Sequence, residues 1–142
     1  MAKIYVIGSL RSQEVQLVGK ALRDIGWIAF DDWHGAGPEA DDYWQKYEIN
    51  RGRSYREALA GHVANHNFYF DKEHLDSSDA GILVLPAGKS AHLELGYLIG
   101  QGKPGYILMS GEPERYDLMY KFATGIFFSI EEMQQKLIRE HN

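Results

Sequence analysis

Ile82-Leu83-Val84-Leu85-Pro86-Ala87-Gly88-Lys89-Ser90-Ala91-His92-Leu93-Glu94-Leu95-Gly96-Tyr97 is the stretch that decides the fold class. Its first four residues are apolar without polar alternation. That is the pattern of a strand buried on both faces, and such strands belong to parallel sheets covered by helices. Pro86 and Gly88 then turn the chain, and Lys89–Gly100 reads as a helix. Ala91, Leu95 and Leu98 stand at i, i+4 and i+7 and so turn toward the sheet. Ser90 and Glu94 share the opposite face, over the carboxyl end of the sheet. The free N–H groups and positive end of such a helix suit an anion or a sugar hydroxyl. A structural reading stands beside this one: Ser90 caps the helix and Glu94 complements its dipole.

Outward from this unit the chain alternates β-rich runs with helical periodicity, the signature of an α/β fold with a parallel sheet. Ile4–Ile7 reads as the first strand. Val15, Val18, Leu22 and Ile25 give the first amphipathic helix, stopped by Gly26, and Trp27–Phe30 is the second strand. Residues 31–42 are expected to be loop from their Gly and Pro content. A helix is expected from about Tyr43 to His62, with Gly52 as a potential break, and Asp71–Ser77 as a short helix or turn. Gly105–Met109 reads as the fourth strand, Arg115–Phe122 as a short helix and Ile126–Phe128 as the fifth strand. Ser129 with Glu132 is a capping-box pattern that opens a last helix. The whole chain, 1–142, is expected to be one flavodoxin-like three-layer domain with strand order 2-1-3-4-5. Ligands of such sheets bind at the carboxyl ends of the strands.

Composition removes several function classes. The 142 residues include no cysteine, so disulfides, thiolate catalysis and cysteine-held metals are excluded. The formal net charge is −5, from 15 basic and 20 acidic residues, which argues against a nucleic-acid polymer as partner. The longest strongly apolar run is Ile82–Leu85, far short of a membrane span, and no signal peptide is read. A soluble, cytoplasmic setting without membrane contact is expected.

Two sequence matches mislead. Gly100-Gln101-Gly102-Lys103-Pro104-Gly105 fits a dinucleotide fingerprint but leads from helix to strand, the reverse of what that motif needs. Gly88-Lys89-Ser90 resembles the end of a phosphate loop, yet Leu83 stands where its first glycine belongs. His62 and His66 have a metal-compatible spacing, but surface or packing histidines are the default. Two further signals matter more. The first strand ends in Gly8-Ser9, followed by Arg11, where a small residue admits a ligand to the backbone and an arginine can pair with phosphate. Asp71 precedes the third strand as a crevice carboxylate or an N-cap, and Asp79 serves the turn into that strand. Trp33, His34, Tyr43, Trp44 and Tyr47 are candidates for a pocket wall, for core or for an interface.

Taken together, Tyr5 with Gly8-Ser9, Asp71 eight residues before Asp79, Ser90 with Glu94-Leu95-Gly96, and Tyr116-Asp117-Leu118-Met119 resemble the nucleoside 2-deoxyribosyltransferase family. That family includes the related 2′-deoxynucleoside 5′-phosphate N-hydrolases. The resemblance spans nearly the whole chain, although residues 32–61 match neither branch. It implies a retaining glycosyl transfer in which Glu94 attacks the anomeric carbon and carries the sugar covalently. It implies that Tyr5 orients Glu94 and that Asp71 contacts or protonates the leaving base. Gly8, Ser9, Arg11, Gly88, Ser90 and Asp117 are the implied substrate contacts. No metal or other cofactor is required.

The resemblance leaves the substrate's 5′ end open. Asp117 stands where the transferase branch has Asn, and a carboxylate there favours a free nucleoside over a phosphate. Arg11 matches the phosphate loop of the hydrolase branch and argues the other way. The expected partner is a small-molecule nucleoside or nucleotide, and the expected assembly a homodimer or larger homo-oligomer. A non-catalytic nucleotide-binding protein is the alternative from another class. Retention of Tyr5, Asp71 and Glu94 argues against it, because a pure binder gains little from burying Glu94 beside a tyrosine.

Overall fold

The computed structural model describes residues 2–138. In chain order the elements are β1 (Lys3–Ile7), α1 (Glu14–Arg23), β2 (Ile28–Phe30), α2 (Ala40–Asn50), α3 (Tyr55–Leu59), α4 (His62–Ser77), β3 (Ala80–Val84), α5 (Lys89–Gly100), β4 (Gly105–Leu108), β5 (Gly125–Phe127) and α6 (Ile130–Leu137). Short 3-10 turns cover Asp32–Ala36 and Leu118–Phe122. All five strands are parallel and run in the order β2-β1-β3-β4-β5, as the sequence pattern implies.

Alternation along each strand divides the core into two layers. Ile4, Val6, Ile82 and Val84 pack with Val15, Val18, Leu22, Met133 and Leu137 on the α1/α6 side. Tyr5, Ile7, Phe30, Leu83 and Ile107 pack with Leu75, Ala91, Leu95 and Leu98 on the α4/α5 side. β3 is buried along its whole length, which accounts for its unbroken apolar sequence. Gly81 lets α5 settle close on the sheet, because a Cβ there would collide with the side chain of Leu98. The order of strands reverses between β1 and β3, so the crevice at their carboxyl ends is the switch point of the fold.

Three expectations need correction. The helix expected from Tyr43 to His62 starts earlier, at Ala40, and the potential break at Gly52, whose φ of +74° only glycine adopts freely, does divide it into two helices. The short element expected at Asp71–Ser77 is the end of a 16-residue helix, α4. Only Leu75 of that helix is buried, so it carries no apolar stripe from which its full length can be read. The short helix expected at Arg115–Phe122 is a 3-10 turn over its last five residues. The Ser129 cap is present: Ser129 Oγ accepts from the backbone N–H of Glu132 at 3.0 Å.

Candidate active site

A cavity of about 780 Å³ opens between α4 and α5, with α2 and α3 beside it. This volume lies within the range of small-molecule sites. α4 supplies Ala64, Asn65, Asn67, Phe68, Asp71, Lys72 and Leu75, and α5 supplies Ser90, Leu93, Glu94 and Tyr97. Asp71 is the tenth residue of α4, which removes the N-cap alternative and leaves a carboxylate on a cavity wall. Ser90 makes no capping bond; Gly88 is the N-cap of α5. Asp79 accepts the backbone N–H of Lys3 at 2.9 Å, so its side chain ties the entry to β3 to the start of β1 rather than closing a local turn.

Tyr5, Asp71 and Glu94 come together. Tyr5 is buried beneath the cavity in the α4/α5 layer, and its hydroxyl hydrogen-bonds to the Glu94 carboxyl. Burial pushes Asp71 up to about 6. Burial pushes Glu94 up to about 7, the Asp71 carboxyl adds to the rise, and the Tyr5 hydroxyl opposes it. The Tyr5 phenol is driven far upward by burial and by the two carboxyls, so it stays a neutral donor. Between about pH 6 and 7 the two carboxyls therefore hold one proton between them, carried mainly by Glu94, the more strongly raised of the two. The form that can react is the minor one, in which that proton sits on Asp71 and Glu94 is free to attack.

The aromatic side chains around Tyr5 seat α4. Phe30 lies 5.1 Å from the Tyr5 ring and stacks on His74 at 3.8 Å and 11°. Lys3 Nζ sits 3.0 Å from His74 Nδ1, and burial with the Lys3 charge lowers the His74 pKa. His74 is thus a neutral acceptor that locks α4 onto β1, one turn beyond Asp71. A second histidine fixes the start of α5. His92 Nδ1 lies 2.7 Å from the Gly88 carbonyl and Nε2 lies 2.8 Å from the Tyr120 hydroxyl. A carbonyl only accepts, so Nδ1–H donates and Nε2 accepts from Tyr120 in the neutral ring.

The remaining expected contacts lie outside this cavity wall. Gly8 is small because a Cβ there would meet Val15 Cγ2 at 2.9 Å. Ser9 Oγ accepts the backbone N–H of Arg11 at 3.1 Å, and the Arg11 side chain pairs with Asp42. Gly88 and Asp117 are exposed, Asp117 just before the 3-10 turn that carries Tyr120. Of the aromatic candidates, Trp44 lines the cavity; its indole N–H and Glu48 Oε2, one turn on, are buried without a partner. Trp33 instead donates to the Val6 carbonyl of β1 at 2.7 Å and packs against both core layers. Sequence reasoning missed His74, His92 and Tyr120, whose partners come from distant segments.

No protein-family model matches the chain, and no curated protein does. Solved structures do match in fold. A 2-deoxyribosyltransferase from the psychrotolerant bacterium Bacillus psychrosaccharolyticus superposes with a TM-score of 0.64 at 21% identity, over 94% of this chain and 90% of that one. The Clostridium botulinum CMP N-glycosidase BcmB superposes with a TM-score of 0.56 at 16% identity, over 95% and 97% of the two chains. At these identities the likeness is one of fold. Among the described residues no helix is long and apolar enough to cross a membrane.

Proposed function

We propose that this chain cleaves or exchanges the N-glycosidic bond of a (deoxy)nucleoside through a covalent glycosyl-Glu94 intermediate. The observation that carries the reading is the convergence of Asp71 and Glu94 on one cavity, with Tyr5 buried against Glu94 and both carboxyls raised toward neutrality. The two fold neighbours named above, one a deoxyribosyltransferase and one a nucleotide N-glycosidase, support the reaction class. Ionised Glu94 attacks the anomeric carbon as its bond to the base nitrogen breaks. Protonated Asp71 gives its proton to the departing base, which leaves badly as an anion. A water or a second base then attacks the same carbon, frees Glu94 and returns a proton to Asp71. Tyr5 donates to Glu94 throughout and holds it in line.

A free nucleoside is the preferred substrate. The cavity wall holds Asp41, Asp71 and Glu94 against one cation, Lys72, which is already paired with Asp76. A 5′-monophosphate N-glycosidase is the second reading, favoured by Arg11 at the end of β1. The chain also presents Leu93, Phe68, Tyr116, Leu118, Met119 and Phe122 to solvent, each more than half exposed, which supports a homodimer or larger assembly.

The test is mass spectrometry of the protein mixed with deoxyadenosine or its monophosphate. A sugar-sized adduct on the Glu94 peptide is expected, absent in Glu94→Ala. Turnover that survives Glu94→Ala rejects the nucleophile. Base release followed with and without free cytosine separates transfer from hydrolysis.

A further inference from the structure

We infer that Asp76 is the positioning residue of the catalytic pair: it ties α4 to α5 beside Asp71 and Glu94 and keeps the Lys72 ammonium off both carboxyls. The inference rests on the proposed reading and deepens it. Asp76 Oδ1 accepts from the Tyr97 hydroxyl on α5 at 2.5 Å and from Nε2 of Gln101, the C-cap of α5, at 3.1 Å. Its Oδ2 accepts from Lys72 Nζ at 2.9 Å, on its own helix. Gln101 also donates to Tyr97 Oη at 3.1 Å, and the Lys72 ammonium stands 5.7 Å from the centre of the Tyr97 ring. Lys103 closes the end of α4 by donating to the Leu75 and Asp76 carbonyls.

Each catalytic group is thereby one step from this cluster. Lys72 follows Asp71 in the chain, and Tyr97 lies one turn beyond Glu94 on α5. Both Lys72 and Tyr97 line the cavity, where Lys72 is the one cation among the described residues. The titratable groups that share the cavity wall with the carboxyl pair are Asp41 from α2, Tyr69 and Lys72 from α4 and Tyr97 from α5, and Tyr5 of β1 is buried against Glu94. Burial and mutual repulsion, not a cation, set the protonation of Asp71 and Glu94. A freed Lys72 would stabilise two anions and remove the proton that the leaving base needs. The cluster is open to solvent, with Lys72 and Asp76 about 40% exposed, so its loss costs little stability. Its effect falls on geometry and charge.

The test uses Asp76→Asn, Tyr97→Phe and the double variant Asp76→Asn with Lys72→Met. The carboxyl groups of Asp71 and Glu94 are titrated by carbon-13 NMR, and kcat and KM are measured on a deoxynucleoside. Asp76→Asn is expected to lower the titration of the pair by half a unit or more and to reduce kcat about tenfold, with KM changed less than threefold. The double variant restores the titration but not kcat. Tyr97→Phe, which removes the hydroxyl tie between α4 and α5 and leaves the Lys72–Asp76 pair in place, lowers kcat without moving the titration. Curves for folded Asp76→Asn that coincide with wild type, or an unchanged kcat, overturn the inference. If wild type turns over no nucleoside or nucleotide, the proposed function fails, and the titration alone still decides the role of Asp76.

Discussion

Arg11 Nη2 lies 3.0 Å from Asp42 Oδ2 and joins the loop after β1 to the first turn of α2. Both side chains are more than half exposed, so the pair contributes under about 1 kcal/mol to folding. Its consequence is for recognition. The guanidinium that the sequence offers to a 5′-phosphate is already matched by a carboxylate, and a phosphate must displace Asp42 to use it.

Substitutions at this pair separate the two substrate readings. Arg11→Ala is expected to leave kcat/KM for a deoxynucleoside within about threefold of wild type. Asp42→Asn is expected to raise kcat/KM for the monophosphate about fivefold relative to the nucleoside, the effect of removing a competing anion worth about 1 kcal/mol. Base release measured by chromatography on both substrates checks this. A wild type that prefers the monophosphate and loses it in Arg11→Ala would assign the phosphate reading instead.

The carboxyl pair sets the pH dependence of turnover. Asp71 rises to about 6 and Glu94 to about 7, so the form with one shared proton peaks between them. A bell-shaped profile of kcat/KM is expected with its maximum between pH 6 and 7. Activity falls toward acid as both carboxyls become protonated and no nucleophile is left, and toward base as both ionise and the leaving base loses its proton source. A profile flat from pH 5 to 9 is incompatible with this pair carrying the chemistry.

Tyr5→Phe probes the hydroxyl without emptying the core. The hydrogen bond from Tyr5 holds Glu94 down, so its loss raises the Glu94 carboxyl further. The basic limb of the profile, set by the higher of the pair's two titrations, is expected to move to higher pH, and kcat to fall by about one order of magnitude, as for loss of a hydrogen bond to a charged group. An unmoved basic limb would show that Tyr5 does not touch the ionising group.

How much of this was legible in the sequence depended on whether burial writes a period. β1, β3 and α5 are packed into the two core layers, so Ile4–Ile7, Ile82–Val84 and Ala91-Leu95-Leu98 announce both element and face. Glu94 and Ser90 could therefore be placed over the cavity from spacing alone. α4 could not, because its sequence answers to an aromatic and polar environment made by Phe30, His74 and Lys3. Asp71 carried no local sign that it sits deep inside a helix. Asp76, Tyr97 and Gln101 form their cluster only once α4 and α5 lie side by side, 21 and 25 residues apart in the chain. The glycine at position 8 was read as room for a ligand, whereas its closest demand comes from Val15.

The same burial that readies Glu94 for chemistry opposes folding, with a sign that pH reveals. The carboxyl ionises near 4.5 when unfolded and near 7 when folded. Below pH 4.5 both states hold the proton and there is no penalty. Between 4.5 and 7 the unfolded chain releases its proton while the folded protein keeps it, so stability falls as pH rises and the full cost applies above 7. Glu94→Gln removes this titration and keeps the shape. The variant is expected to match wild type at pH 4 and to exceed it at pH 8 by about 2 kcal/mol, discounted for the part of the side chain still open to water. That corresponds to a rise of roughly 5 °C in the unfolding midpoint for a domain of this size. Calorimetry at the two pH values reads the difference directly, and an equal midpoint at pH 8 would mean that Glu94 is solvated in the folded protein and unsuited to the role assigned to it.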